Sequence, residues 1–131
     1  MKASEYRKTQ AYQQAYLEYE SNPILFGREM APKMAKVPSP EFHYELANLW
    51  LVETVQYANI ICPRGHGKTS VIGTIIPLHH IIFDKGSKMI LICSKTQGHS
   101  ISILSQIKQI FYNTKFKYMF GDWTEATAKT W

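Results

Sequence analysis

The chain has 131 residues, 45% hydrophobic and 19% charged, a balance that fits one small domain and reads as globular rather than disordered. Formal net charge is +5, unevenly spread: residues 1–36 carry six bases and four acids, 37–56 three acids and no base, and 57–131 nine bases and three acids. The last stretch favours a polyanionic partner, although its bases are scattered rather than clustered. The longest apolar run, Val71–Phe83, is interrupted by Gly73, Pro77 and His79–His80, so no membrane span is expected. The N-terminus is polar and rich in Tyr and Gln, unlike a secretory signal. Two cysteines, Cys62 and Cys93, do not make a disulfide framework, and a reducing cytoplasm is expected.

Residues 3–20 lack Gly and Pro and favour helix. Tyr12, Tyr16 and Tyr19 fall at i, i+4 and i+7, one aromatic stripe expected to pack on the domain. Residues 21–40, interrupted by Pro23, Pro32, Pro38 and Pro40, read as a linker. Glu41–Gln56 predicts a helix with Phe42, Leu46, Leu49 and Trp50 on its apolar face. Then the period changes. Tyr57–Cys62 is short and apolar and stops at Pro63-Arg64-Gly65, the pattern of a buried strand running into a loop.

Gly67 to about Phe83 predicts a helix that Pro77 kinks or splits. Asp84–Ser87 reads as a turn and Lys88–Cys93 as a second buried strand. A further helix is expected over 95–112, with Ile101, Leu104, Ile107, Ile110 and Phe111 on one face. The aromatic and Thr content of Phe116–Trp131 suits a strand or hairpin. Strand, loop, helix, turn, strand, helix is the order of an α/β sheet with parallel strands.

The chemistry sits at Cys62-Pro63-Arg64-Gly65-His66-Gly67-Lys68-Thr69. The general phosphate-binding pattern is Gly, four residues, then Gly-Lys-[Ser/Thr]. Its last three positions match, and Cys62 stands where the first Gly would. Glycines let backbone amides turn inward around phosphate oxygens, and a helix N-terminus adds partial positive charge. Lys68 is placed to reach the β and γ phosphates, and Thr69 to offer its hydroxyl to magnesium. The competing reading is a Gly-rich turn with an exposed lysine.

The segment Arg64-Gly65-His66-Gly67-Lys68-Thr69-Ser70, preceded by Glu41-Phe42-His43-Tyr44-Glu45-Leu46, resembles the large subunit of phage terminase, the ATP-driven motor that packages DNA into viral heads. That family carries an Arg ahead of Gly-Lys-Thr, often a Phe-His-x-Glu-Leu helix upstream, and an apolar strand ending in Ser before a long helix. Here Arg64, Phe42–Leu46 and Ile90–Ser94 match. The resemblance covers about residues 38–112. Terminases commonly lack the first loop glycine too.

The resemblance implies a partial P-loop NTPase fold, a RecA-like parallel sheet flanked by helices. It divides the chain into a helical N-terminal extension and linker at 1–36 and the front of the ATPase domain at 37–131. It implies ATP and magnesium as ligands, held by Pro63, Arg64, Gly65, His66, Gly67, Lys68, Thr69 and Ser70, with Thr69 on the metal. Phe42 and His43 would lie near the adenine, unless they are ordinary helix-face residues. Lys68 and Arg64 would serve catalysis, Arg64 as an arginine finger supplied in cis unless it is a surface residue at a loop tip. Double-stranded DNA, reached through the complete motor, a portal protein and a small terminase subunit are the implied partners, in the host cell cytoplasm.

Hydrolysis also needs a strand ending in Asp–Glu, the Asp for the metal shell and the Glu to orient water. Asp84 comes too early, and Asp122 and Glu125 follow no apolar run. The chain is therefore expected to bind ATP without turning it over alone. Three other readings stay open: the front of a helicase-like translocase, a small P-loop kinase, and a non-catalytic truncated remnant. The absence of arginines after Arg64 weighs against the kinase. The histidines show no metal-ligand spacing. The run Asn113–Tyr118 interleaves bases with aromatics, as a single-strand binder might or as a solvated connection would.

Overall fold

The computed structural model describes residues 2–34, 36–52, 56–83 and 89–122. Its elements are helices: α1 (Ala3–Tyr6), α2 (Gln10–Ser21), α3 (Pro23–Met30), α4 (Glu41–Leu51), α5 (Lys68–Ser70), a π-turn (Val71–Ile75), α6 (Ile76–Phe83), α7 (Gln97–Phe111) and α8 (Thr114–Phe120).

The first predicted helix is split at Arg7–Thr9. Thr9 caps α2, its Oγ1 accepting from the Tyr12 N–H at 3.2 Å. The tyrosine stripe faces inward as expected, with Tyr19 buried and Tyr12 and Tyr16 half-buried against the core. Within the expected linker, α3 forms instead. Asn22 caps it through a 3.0 Å bond from the Leu25 N–H, and Pro23 sits in the first turn, where a missing N–H costs nothing. A proline read as a breaker here starts a helix.

Pro77 does not break its helix either. Proline lacks the N–H, and its ring crowds the carbonyl four residues back. The widened π-turn just ahead absorbs that demand, with the Ile76 N–H reaching Val71 O. Lys68–Phe83 is thus one continuous helical run. The helix predicted over 95–112 is seen at Gln97–Phe111, but its buried face is Ile103, Ile107, Ile110 and Phe111. Ile101, expected inside, is 53% exposed. The segment from Phe116, expected as strand or hairpin, begins as α8, with Phe116 and Met119 buried. Residues 53–55 of the helix predicted through Gln56, the turn at 84–87, Lys88 and residues 123–131 lie outside the described residues.

The RecA-like parallel sheet is not present. Among the described residues no strand forms, and the fold is helical rather than α/β. Residues 57–62 and 89–93 lie outside the helices but lack any ladder between them. Tyr57 is 94% and Ile61 89% exposed in the first, and Met89 is 89% and Leu91 77% exposed in the second. A short apolar run specifies a preference for extended backbone. A strand exists only when a neighbour supplies hydrogen-bond partners along its length.

Two apolar clusters organise the helices. The larger joins Tyr19 of α2, Phe26 and Met30 of α3, Leu78 and Phe83 of α6, and residues of α7 and α8. The smaller joins Ile24 of α3, Leu46 and Ala47 of α4, Val71 and Ile76, with Phe42 and Ile60 at its edge. Both pass through α3, so the N-terminal helices pack on the same core as the rest. Gly27 permits this closeness: a Cβ there would lie 2.6 Å from Ile75 Cδ1. Polar ties complete the joints. His79 Nε2–H donates to the Tyr19 and Glu20 carbonyls at 2.9 and 3.1 Å, satisfying carbonyls at the end of α2. Asn113 Nδ2 donates to Met30 O at 3.1 Å, and Arg7 Nη2 to Lys117 O at 3.0 Å.

Candidate nucleotide-phosphate site

Residues 63–67 form a tight loop running directly into the continuous helical segment that begins at Lys68. Two positions need the left-handed backbone region, and both are glycine: Gly65 at φ +80° and Gly67 at φ +72°. Gly67 is the residue on which the helix starts, and its carbonyl accepts from the Val71 N–H at 3.0 Å. A β-carbon at either position would strain the backbone. The leading amides of a helix lack intrahelical acceptors, the arrangement that attracts anions.

Cys62–Ser70 line a concavity of about 350 Å³. Arg64, Gly65, His66 and Thr69 are exposed there, while Lys68 and Ser70 are half-buried. Beside it lies a cleft of about 500 Å³ shared by the loop, the start of α4 and the connection from α3. Phe42, Met34, Val37, Pro38 and Val71 give that cleft apolar walls, and Arg28, Lys33 and Lys36 supply bases. No carboxylate lines either concavity among the described residues. Both surfaces thus carry positive charge without an acidic counterpart, which favours an anion with an apolar end.

The helix α4 is held against the loop by Phe42 and His43. Their rings meet edge to face at 4.4 Å between centroids, and Phe42 lies 6.1 Å from the His66 ring. His43 Nε2–H donates to the His66 carbonyl at 2.6 Å, and His66 Nδ1–H donates to the Arg64 carbonyl at 3.0 Å. His43 Nδ1 is buried and has no hydrogen-bond partner.

The fold thus brings together Phe42, His43, Pro63, Arg64, Gly65, His66, Gly67, Lys68, Thr69 and Ser70 in adjoining concavities. Arg28, Lys33 and Lys36 were missed. They sit on or after a helix that the proline pattern had hidden, and their only signal was positive charge upstream of Pro38. Thr69 offers an exposed hydroxyl, and no cluster of three or more His, Cys, Asp or Glu side chains among the described residues makes a protein-only cage. Asp84 and Glu125 lie outside the described residues, and Asp122 pairs with Lys117 at 3.3 Å. Among the described residues, no helix is long and apolar enough to cross a membrane. Comparison with models of known families, with curated proteins and with solved structures gives no match.

Proposed function

We propose that residues 63–70 hold the phosphates of ATP with magnesium, and that the chain is the nucleotide-binding part of a DNA-packaging motor of the phage terminase large-subunit type. The observation that carries the phosphate reading is the loop itself, with left-handed Gly65 and Gly67 leading into a helix that opens with Lys68 and Thr69. Lys68 and the loop amides would hold phosphate oxygens, and Thr69 would contribute to the magnesium shell. Bound magnesium supplies charge neutralisation at the phosphates. Arg64, exposed at the loop tip, is free to approach the terminal phosphate. The neighbouring cleft offers Phe42 and aliphatic walls to a base. The motor assignment is supported by the Arg64–Ser70 and Glu41–Leu46 motifs.

The expected result for Lys68→Ala is a loss of ATP affinity of at least about tenfold, since a charge-assisted contact contributes roughly 1.5–3 kcal/mol. Titration calorimetry on the whole chain measures it, with circular dichroism to check that the helices persist. Unchanged affinity would remove the phosphate assignment.

Double-stranded DNA is the proposed partner of the complete motor. Nine bases against three acids over residues 57–131, without a base-reading motif, imply weak and non-specific contact by this chain. Fluorescence anisotropy with duplex DNA should lose most of its signal between low and physiological salt. Tight, salt-resistant, sequence-selective binding is the contrary outcome.

A further inference from the structure

The resemblance implies a place for His43 beside the adenine, but its hydrogen bond points elsewhere. Its Nε2–H is spent on the His66 carbonyl at 2.6 Å. The same edge of the ring lies against Gly67, where a Cβ would fall 3.0 Å from His43 Cε1 and 3.1 Å from Nε2. Phe42 backs the imidazole on one side, and Nδ1 is buried without a partner. These contacts are with the loop and with its own helix.

A trans peptide is planar, and its C=O and N–H point in opposite directions. Fixing the His66 carbonyl toward α4 therefore fixes the Gly67 N–H away from α4. Gly67 has no side chain to restrain its rotation, and its left-handed φ of +72° is only one of several conformations open to glycine. A single strong bond to the preceding carbonyl removes much of that freedom.

We propose that His43 is a positioning residue for the phosphate loop: it sets the His66–Gly67 peptide so that the Gly67 amide is presented to phosphate, and it does not read the base. This rests on the phosphate-binding reading above. It separates two tasks on adjacent residues, with the apolar ring of Phe42 facing the cleft and the imidazole of His43 restraining the backbone. Because the bond is made before any ligand arrives, the ordering cost falls on folding rather than on binding.

The test compares ATP with inorganic tripolyphosphate, which has no base, by calorimetry on the whole chain. His43→Leu keeps bulk and removes the donor. His43→Gln places an amide N–H close to where Nε2–H stood. His43→Leu should weaken both ligands by the same factor, about fivefold for one lost hydrogen bond, and His43→Gln should recover most of it. Amide exchange at residues 66–71 should quicken in His43→Leu and slow again in His43→Gln. A loss confined to ATP overturns the proposal and makes His43 a base contact. Equal losses in both variants, with helices intact, also overturn it, since packing alone would then explain them. Failure of the unsubstituted chain to bind either ligand removes the phosphate-binding reading itself. Binding that His43→Leu leaves untouched removes only the positioning role.

Discussion

Phe26→Ala is expected to destabilise the fold by about 3–5 kcal/mol, the range for emptying a fully buried aromatic site. Phe26 has no exposed surface. Its ring meets Tyr19 of α2 at 6.3 Å, His79 and Phe83 of α6 at 5.6 and 5.4 Å, and Phe120 of α8 at 5.8 Å, all edge to face. Offset and edge-on pairs add roughly 0.5–1.5 kcal/mol each beyond the area they bury. Four elements therefore meet on one side chain, and no neighbour can move into the void without abandoning another contact. Against a total stability of roughly 5–15 kcal/mol, the loss is severe. Urea unfolding followed by circular dichroism measures it. Leu17→Ala, at a side chain 62% exposed on α2, serves as the control and should shift stability by no more than about 0.5 kcal/mol. A Phe26→Ala shift as small as the control's would mean that this junction does not hold the helices together.

Acid should weaken the fold through His79. Burial pushes its imidazole below the ordinary value, and the bonds to the Tyr19 and Glu20 carbonyls only partly oppose this. An unfolded imidazole takes its proton near pH 6.5, whereas the folded one resists until lower pH. Below about pH 6.5 the unfolded chain thus binds more protons, and stability rises with pH. The contribution is fully present above that value and is lost as pH falls through the lowered folded value. One proton limits the slope to about 1.4 kcal/mol per pH unit. His79→Gln retains an N–H donor for the carbonyls of α2 without a titrating ring. Urea midpoints at pH 7.5 and pH 5 should differ less in His79→Gln than in the unsubstituted chain. Equal pH sensitivity in both would place the acid-labile group elsewhere.

The local signals in the chain were of unequal reach. Helix-forming stretches depend on contacts within four residues, and those over 10–21, 41–51, 68–83 and 97–111 were legible from composition, apolar spacing and their place after a loop or turn. Gly-Lys-Thr is legible for the same reason, because the backbone conformation it requires is local: the two glycines take the left-handed values that no side chain favours. Proline misled at Pro23, while at Pro77 the expected helix forms without being split. At Pro23 a capping Asn22 turns a breaker into a starter, and at Pro77 a widened turn accommodates the ring.

What sequence by itself determined was the loop, most of the helical segments and the positive charge around them. Tertiary structure alone decided the rest. Whether 57–62 and 89–93 become strands depends on partners for their backbone groups, which their own residues do not encode, and among the described residues none is present. Which face of α7 is buried, Ile103 rather than Ile101, depends on packing against the π-turn, where a Cβ on Gly73 would lie 3.4 Å from Ile103 Cγ2. The bond from His43 to His66 joins residues 23 apart in sequence, and only packing of α4 against the loop brings them within 2.6 Å. Short-range preferences set backbone conformation one turn at a time, whereas ladders, buried faces and long-range hydrogen bonds exist only once distant segments have met.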